Sequence, residues 1–231
     1  MNERENTLRA YRFQQPERIP IRVHVPADMW RVYGEDLEKI VVRHPLLFPD
    51  FEEGSIDFEN LPIDPRNRAG TFTDPWGCVY ESTEQDVPCF VTGHPLENWD
   101  DFADFQPPDP GQTDGLREID WNERENGVRQ SIEAGKPARM GLIHGHFFLL
   151  LINLRGYENL MMDMLEREPR LFELIEMIEA FSMEIVGRCL DMGVDIMSYP
   201  EDLGAQDRPM ISPEFFREFI QRGVVPEGSV S

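Results

Sequence analysis

Ala138-Arg139-Met140-Gly141-Leu142-Ile143-His144-Gly145 and Val194-Asp195-Ile196-Met197-Ser198-Tyr199 read as two strands with helical sequence between them. The intervening stretch predicts one helix over residues 147–166. Pro169 then opens a second at a first-turn position, where proline is tolerated. That helix carries Leu171, Leu174, Ile175, Ile178, Phe181, Ile185, Cys189 and Met192 at spacings of three and four, which gives it one buried face. Gly193 stands where a helix C-cap glycine belongs. A strand–helix–strand unit with so long a crossover joins parallel strands, in an open sheet or a barrel.

The same rhythm extends outward. Residues 115–134 predict a helix ending at Gly135, and Ser212-Pro213-Glu214 is a helix start running into Phe215, Phe216, Phe219 and Ile220. Near the N-terminus, residues 3–14 predict a short helix with Leu8, Tyr11 and Phe13 facing inward. Ile19-Pro20-Ile21-Arg22-Val23-His24-Val25 alternates as a first strand, and residues 28–44 predict a helix capped by Asp28. Residues 45–115 are a proline- and acid-rich excursion. It has short strands at Gly70–Thr73, Gly77–Ser82 and Val87–Thr92 and a short helix at Asn98–Phe105. The whole chain, 1–231, reads as one domain.

The charge narrows the partners. The 231 residues hold 22 Lys+Arg against 44 Asp+Glu, a formal net charge of −22. Nucleic acid and anionic membranes call for a basic footprint, so neither is expected as a partner. Three cysteines, Cys78, Cys89 and Cys189, are odd in number and lack a CxxC spacing, which suits reduced thiols in the cytoplasm. No apolar run is long enough for a membrane span. The chain shows no GxGxxG, P-loop, GxSxG or HExxH, so most nucleotide, serine-hydrolase and zinc-protease readings fall away.

Parallel α/β folds carry their working residues at the C-terminal ends of strands. That rule selects His144-Gly145-His146, where alternation puts both imidazoles on one side, to contact an anionic group or a metal. It also selects Tyr199-Pro200-Glu201-Asp202, where Glu201 or Asp202 would orient substrate or handle a proton. His24 on the first strand and Trp76 in Thr73-Asp74-Pro75-Trp76-Gly77-Cys78 stand behind them as substrate-binding candidates. Each has a plainer alternative: a helix cap, a packed core residue or a solvated acidic turn. Cys78 has no neighbour in sequence to lower its pKa and is not expected to be a nucleophile.

Several segments together resemble the uroporphyrinogen decarboxylase superfamily. They are Pro16-Glu17-Arg18-Ile19-Pro20-Ile21, Asp74-Pro75-Trp76-Gly77-Cys78-Val79, His94-Pro95-Leu96, Leu154-Arg155-Gly156-Tyr157-Glu158-Asn159-Leu160, and Gly193-Val194-Asp195-Ile196 through Ser212-Pro213-Glu214-Phe215-Phe216. The Asp-Pro-Trp-Gly-Cys segment suits the methyltransferase-like branch. The resemblance implies a (β/α)8 TIM barrel and a small-molecule substrate. That substrate would be either a tetrapyrrole to be decarboxylated or a corrinoid and a thiol exchanging a methyl group, with a corrinoid protein as a partner. True decarboxylases resemble one another in an Arg-Gln-Ala-Gly-Arg signature after the first strand, which suits an octacarboxylate. Here that place reads Val25-Pro26-Ala27-Asp28-Met29-Trp30-Arg31, so the methyltransferase-like branch is expected, with decarboxylation, or an inactive truncated remnant or half-barrel binding module, as alternatives. The zinc of that branch would be held by a His-x-Cys pair and a later Cys beyond residue 220. Residues 221–231 do not resemble the family continuation. The expectation is an incomplete barrel with no metal ligands of its own, apt to self-associate as a homo-oligomer through exposed strand edges.

Overall fold

A computed structural model describes residues 1–84 and 89–221. The tail expected at 221–231 lies almost wholly outside these residues, as does the start of the strand expected at Val87–Thr92. The chain forms two compact units, Met1–Phe72 with Glu81–Phe90, and Thr73–Tyr80 with Val91–Ser231.

The first unit begins with helix α1 (Glu3–Tyr11), capped by the Asn2 side chain on Glu5 N. Asn6 is buried, accepts from Glu17 N at 2.8 Å and Arg18 N at 3.2 Å, and donates to Arg18 O at 2.9 Å. One side-chain amide thus folds the Pro16-Glu17-Arg18 segment back onto the helix. Tyr11 and Phe13, expected inside, are 59% and 100% exposed, because α1 ends at Tyr11 and Phe13 takes a positive φ. Helix α2 (Ala27–Val42) starts after Pro26 without a side-chain cap, so Asp28 is not the cap, and it kinks at Gly34. Trp30 on α2 stacks on Phe51 at 5.7 Å and lies against Phe58 at 6.4 Å, which gives this unit its aromatic core.

The first strand expected at 19–25 does not form. The segment is extended but pairs with no strand among the described residues, and Ile19, Ile21 and Val23 are 81%, 62% and 41% exposed. Alternation fits a side-chain pattern to a strand, but the strand exists only when a neighbour takes up its backbone N–H and C=O groups. Strands β1 (Gly70–Thr73), β2 (Val79–Ser82) and β3 (Phe90–Gly93) form a three-stranded sheet in that order. The helix expected at Asn98–Phe105 is a 3-10 turn over Trp99–Asp104.

In the second unit, helix α3 (Trp121–Glu133) begins later than the expected residue 115, where Asp120 accepts from Asn122 N and Glu123 N. An Asx-rich turn holds the preceding residues instead, with Asp114 accepting from Leu116 N and Arg117 N. Strands β4 (Arg139–Gly141) and β5 (Ile196–Ser198) pair in parallel, in the register Arg139↔Ile196, Met140↔Met197 and Gly141↔Ser198. The crossover between them is helical, as the sequence implied. Asp195 fixes the register from below, with its carboxylate accepting from Ala138 N at 3.0 Å. Leu142 N to Ser198 O at 3.0 Å and Gly145 N to Pro200 O at 3.1 Å carry the pairing past the strand ends. Gly141 is needed for this approach: a Cβ there would fall on Ser198 Oγ and lie 2.8 Å from the Ser198 carbonyl oxygen.

The single helix expected over 147–166 is two, α4 (Phe148–Arg155) and α5 (Tyr157–Glu166), broken where Gly156 takes φ +78°. Helix α6 (Pro169–Asp191) buries Leu171, Leu174, Ile175, Ile178, Phe181, Ile185 and Cys189 on the face its spacing defines. Helix α7 (Pro213–Phe215), capped by Ser212, runs on into a π turn at Phe216–Ile220. The architecture is mixed α/β with small sheets, and the described residues include no closed barrel.

Two buried polar networks hold this unit. Arg155 donates to Asp163 at 2.7 and 3.3 Å, to Glu97 O at 2.9 Å and to Leu96 O, while its guanidinium lies 4.0 Å from the Trp99 ring centroid. Trp99 Nε1 donates to the same Asp163 at 2.9 Å. His94 Nδ1 meets Asn153 O at 2.7 Å and Leu96 N donates to Leu154 O. The His-Pro-Leu and Leu-Arg-Gly segments are therefore partners in space. In the second network, buried Asp74 accepts from Cys78 N and from the Tyr80 hydroxyl, each at 2.9 Å, and Asn153 Nδ2 donates to that hydroxyl at 3.1 Å.

Burial raises the Asp74 carboxyl above its ordinary value of 3.8, against the hydrogen bonds that lower it. Between that value and the raised native one, the folded chain binds the proton more tightly than the unfolded chain does. Stability from this group is therefore full at low pH and lost as pH rises through the native value. Asp74→Asn removes the titration. In urea melts across that window, the wild type is expected to lose stability relative to D74N as pH rises; a relative gain contradicts the assignment.

Candidate functional site

The C-terminal ends of β4 and β5 meet around one carboxylate. β4 stops at Gly141, and Gly145 at φ +76° turns the chain into α4. Helix α4 has no side-chain cap of its own at Phe147. Glu201, from the loop after β5, supplies it: its carboxylate accepts from Phe147 N at 2.9 Å, Phe148 N at 3.0 Å and Leu149 N at 3.4 Å. Asp202 N donates to the same group at 3.2 Å, so Glu201 gathers four backbone N–H groups at a helix N-terminus, where the macrodipole favours negative charge. Its side chain is 4% exposed. Glu201 is thereby a positioning group whose lone pairs are already engaged.

His146 packs beside it, 3% exposed, with Nδ1 3.3 Å from Pro200 O and 3.8 Å from Glu201 Oε2. A carbonyl only accepts, so that contact places the Nδ1 proton toward Pro200 and makes Nε2 the acceptor nitrogen of the neutral ring. The Tyr199 ring lies 6.2 Å away, and burial, with the Cys189 thiol adding to it, raises the Tyr199 phenol above its usual range. His146 lines a cavity of about 10 Å³ with Trp76, Phe181 and Ser182, the scale of a single water. Trp76 is held edge-on by Phe181 at 4.9 Å, and its indole N–H is buried with no partner among the described residues. Gly115 leaves room for it: a Cβ at that residue would come within 2.8 Å of Trp76 Nε1.

The structure thus gathers His146, Tyr199 and Glu201, and puts Trp76 on the same small cavity as His146. His144 is exposed, not on the side of His146, because the alternation that would align them needs a strand through residue 145 and β4 ends four residues earlier. Asp202 is exposed at the surface of its loop. His24 is exposed in the unpaired segment of the first unit. Ser182 and Gly115 escape the sequence reading: Ser182 sits among apolar residues on the buried face of α6, and only a filled space above it would mark Gly115. Burial, followed by the charge of Asp74, pushes the Cys78 thiol well above its ordinary value, which bears on its expected inertness. Among the described residues no three His, Cys, Asp or Glu side chains assemble in a way that would hold a metal ion. No described helix is long and apolar enough to cross a membrane.

These features define a mixed α/β fold with a polar cluster at the ends of two parallel strands. No protein-family model matches the chain, and no curated protein does. Among solved structures, the chain is similar to a methyltransferase from Methanosarcina mazei, with a TM-score of 0.56 at 14% identity, over 96% of this chain and 65% of that one. At that identity the likeness speaks for the fold. The chain spans about two thirds of the length of that neighbour.

Proposed function

We propose that the chain is a methyltransferase-like protein of the uroporphyrinogen decarboxylase superfamily, which moves a methyl group from a corrinoid to a thiol. The observation that carries this reading is the fold likeness to a solved methyltransferase along 96% of the chain. The segments that resemble the methyltransferase-like branch support it, and so does the polar cluster at the strand ends. In this reading the thiol's proton passes through the one water that the small cavity can hold to His146 Nε2, held as the acceptor by the Pro200 carbonyl. The thiolate attacks the methyl carbon, the S–C bond forms, and the C–Co bond breaks with both electrons left on cobalt. Glu201 holds the turn carrying His146 against the helix that follows. In the branch that the chain resembles, zinc activates the thiol; no three described His, Cys, Asp or Glu side chains come together in a way that would hold one, and this reading gives the proton to the imidazole.

The test is absorbance of methylcobalamin mixed with the full chain and a small thiol under anaerobic conditions. Conversion to the cob(I)alamin spectrum with matching thioether formation is expected. Carbon dioxide released from uroporphyrinogen, with no thioether formed, would replace this reading with decarboxylation. Turnover of neither substrate would leave a non-catalytic chain.

A further inference from the structure

The segment from Ile19 to Pro26 joins the Asn6 clamp to helix α2 and runs between them without a bend. Asn6 fixes its start at Arg18. Pro26, itself extended, fixes its end by accepting from Met29 N and Trp30 N. The segment is thus held straight in advance, and no backbone N–H or C=O group of residues 19–25 finds a partner among the described residues. Such an edge is a template for another strand. The prolines decide which edge is usable. Backbone N–H groups alternate between the two edges of a strand, and Pro20 and Pro26 both lack theirs on the even-numbered edge. The odd-numbered edge keeps every donor, at Ile19, Ile21, Val23 and Val25. These four are β-branched, and the first three are exposed. Met29, Val32 and Tyr33, on α2 directly after the segment, are exposed as well.

We infer that this edge pairs with the same edge of a second copy of the chain, antiparallel, about a two-fold axis at Val23. In that register Val23 faces the partner's Val23 and Ile21 faces the partner's Val25, each as a hydrogen-bonded pair of β-branched residues. Both prolines fall at positions that exchange no ladder bond, so neither disturbs the pairing. Arg18, exposed and without an ion pair among the described residues, comes to the end where the partner's Asp28 stands, and the two-fold axis repeats this at the other end. An axis at Arg22 would instead set two guanidinium groups against each other. The charge of the chain favours this place for self-contact: residues 1–31 hold six Lys+Arg against four Asp+Glu, in a chain of net charge −22. The pairing stands whether or not the chain moves a methyl group.

Sedimentation equilibrium of the full chain over a concentration series tests it. The mass is expected to climb from 26.9 kDa toward twice that value. Val23→Pro removes the donor of the central pair from both copies and should weaken association by about tenfold or more. His24→Pro, one residue on, loses a donor only from the unused edge and should stay within about twofold of wild type. Arg18→Asp and Asp28→Arg should each weaken association, and the double variant should recover it. Far-ultraviolet circular dichroism checks that each variant is folded. A chain that stays at 26.9 kDa leaves the edge to a strand of another protein and overturns the self-pairing. V23P and H24P variants that associate equally well also overturn it.

Discussion

Arg155→Ala is expected to destabilise the chain by about 3–5 kcal/mol, the cost of stranding a buried charge. The substitution leaves Asp163, 7% exposed, with Trp99 Nε1 as its remaining side-chain donor among the described residues, and takes from the Leu96 and Glu97 carbonyls the guanidinium that ties them to α4. It also removes the cation over the Trp99 ring. Arg155→Lys should recover only part of the loss, because a point charge cannot make the fork to Asp163 and reach two carbonyls as well. Replacing both charges, Arg155→Met with Asp163→Leu, should cost less than R155A alone, since no buried ion is left unpaired. Urea unfolding of the three variants measures the series; a double variant less stable than R155A would contradict the account.

Glu201→Ala is expected to cost about 2–3 kcal/mol, from charge-assisted bonds lost and buried donors left unmet. Phe147 N and Phe148 N are the first donors of α4 and have no intrahelical partner of their own. Glu201→Gln keeps one acceptor oxygen for those two groups and should cost about 1 kcal/mol. Its amide nitrogen would then face Leu149 N and Asp202 N, which is why it does not recover everything. Thermal melts at neutral pH rank the variants. A ranking in which E201Q is no better than E201A would remove the capping role.

What the sequence makes legible here is what is local. The three-and-four spacing of α6, the glycine at residue 193 and the Ser212 cap each depend on neighbours within a turn or two, and each appears in the structure where the spacing puts it. The parallel β4–β5 pair follows from the length of its crossover. Illegible are the contacts whose partners lie far along the chain. Glu201 reads from sequence as a free acid on a loop, but it is the cap of a helix more than fifty residues earlier. Arg155 reads as part of a family-like motif, without the Asp163 and Trp99 that make it structural. The 19–25 segment fails for the complementary reason, because its own pattern is strand-like and the partner strand is what it lacks. His144 and His146 part company because the strand stops at Gly141 and not at Gly145, a boundary that periodicity cannot fix.

Comparing methyl transfer in His146→Asn and His24→Asn tests most directly whether the ends of β4 and β5 are the working end of this chain. Both variants are checked for unchanged far-ultraviolet circular dichroism, and thioether formation is followed with methylcobalamin and a thiol. The account predicts that H146N loses about 100-fold or more in kcat/KM, the scale of a lost general base, while H24N, at an exposed residue of an unpaired segment, stays within about twofold of wild type. A folded H146N chain that transfers methyl groups at the wild-type rate would contradict it.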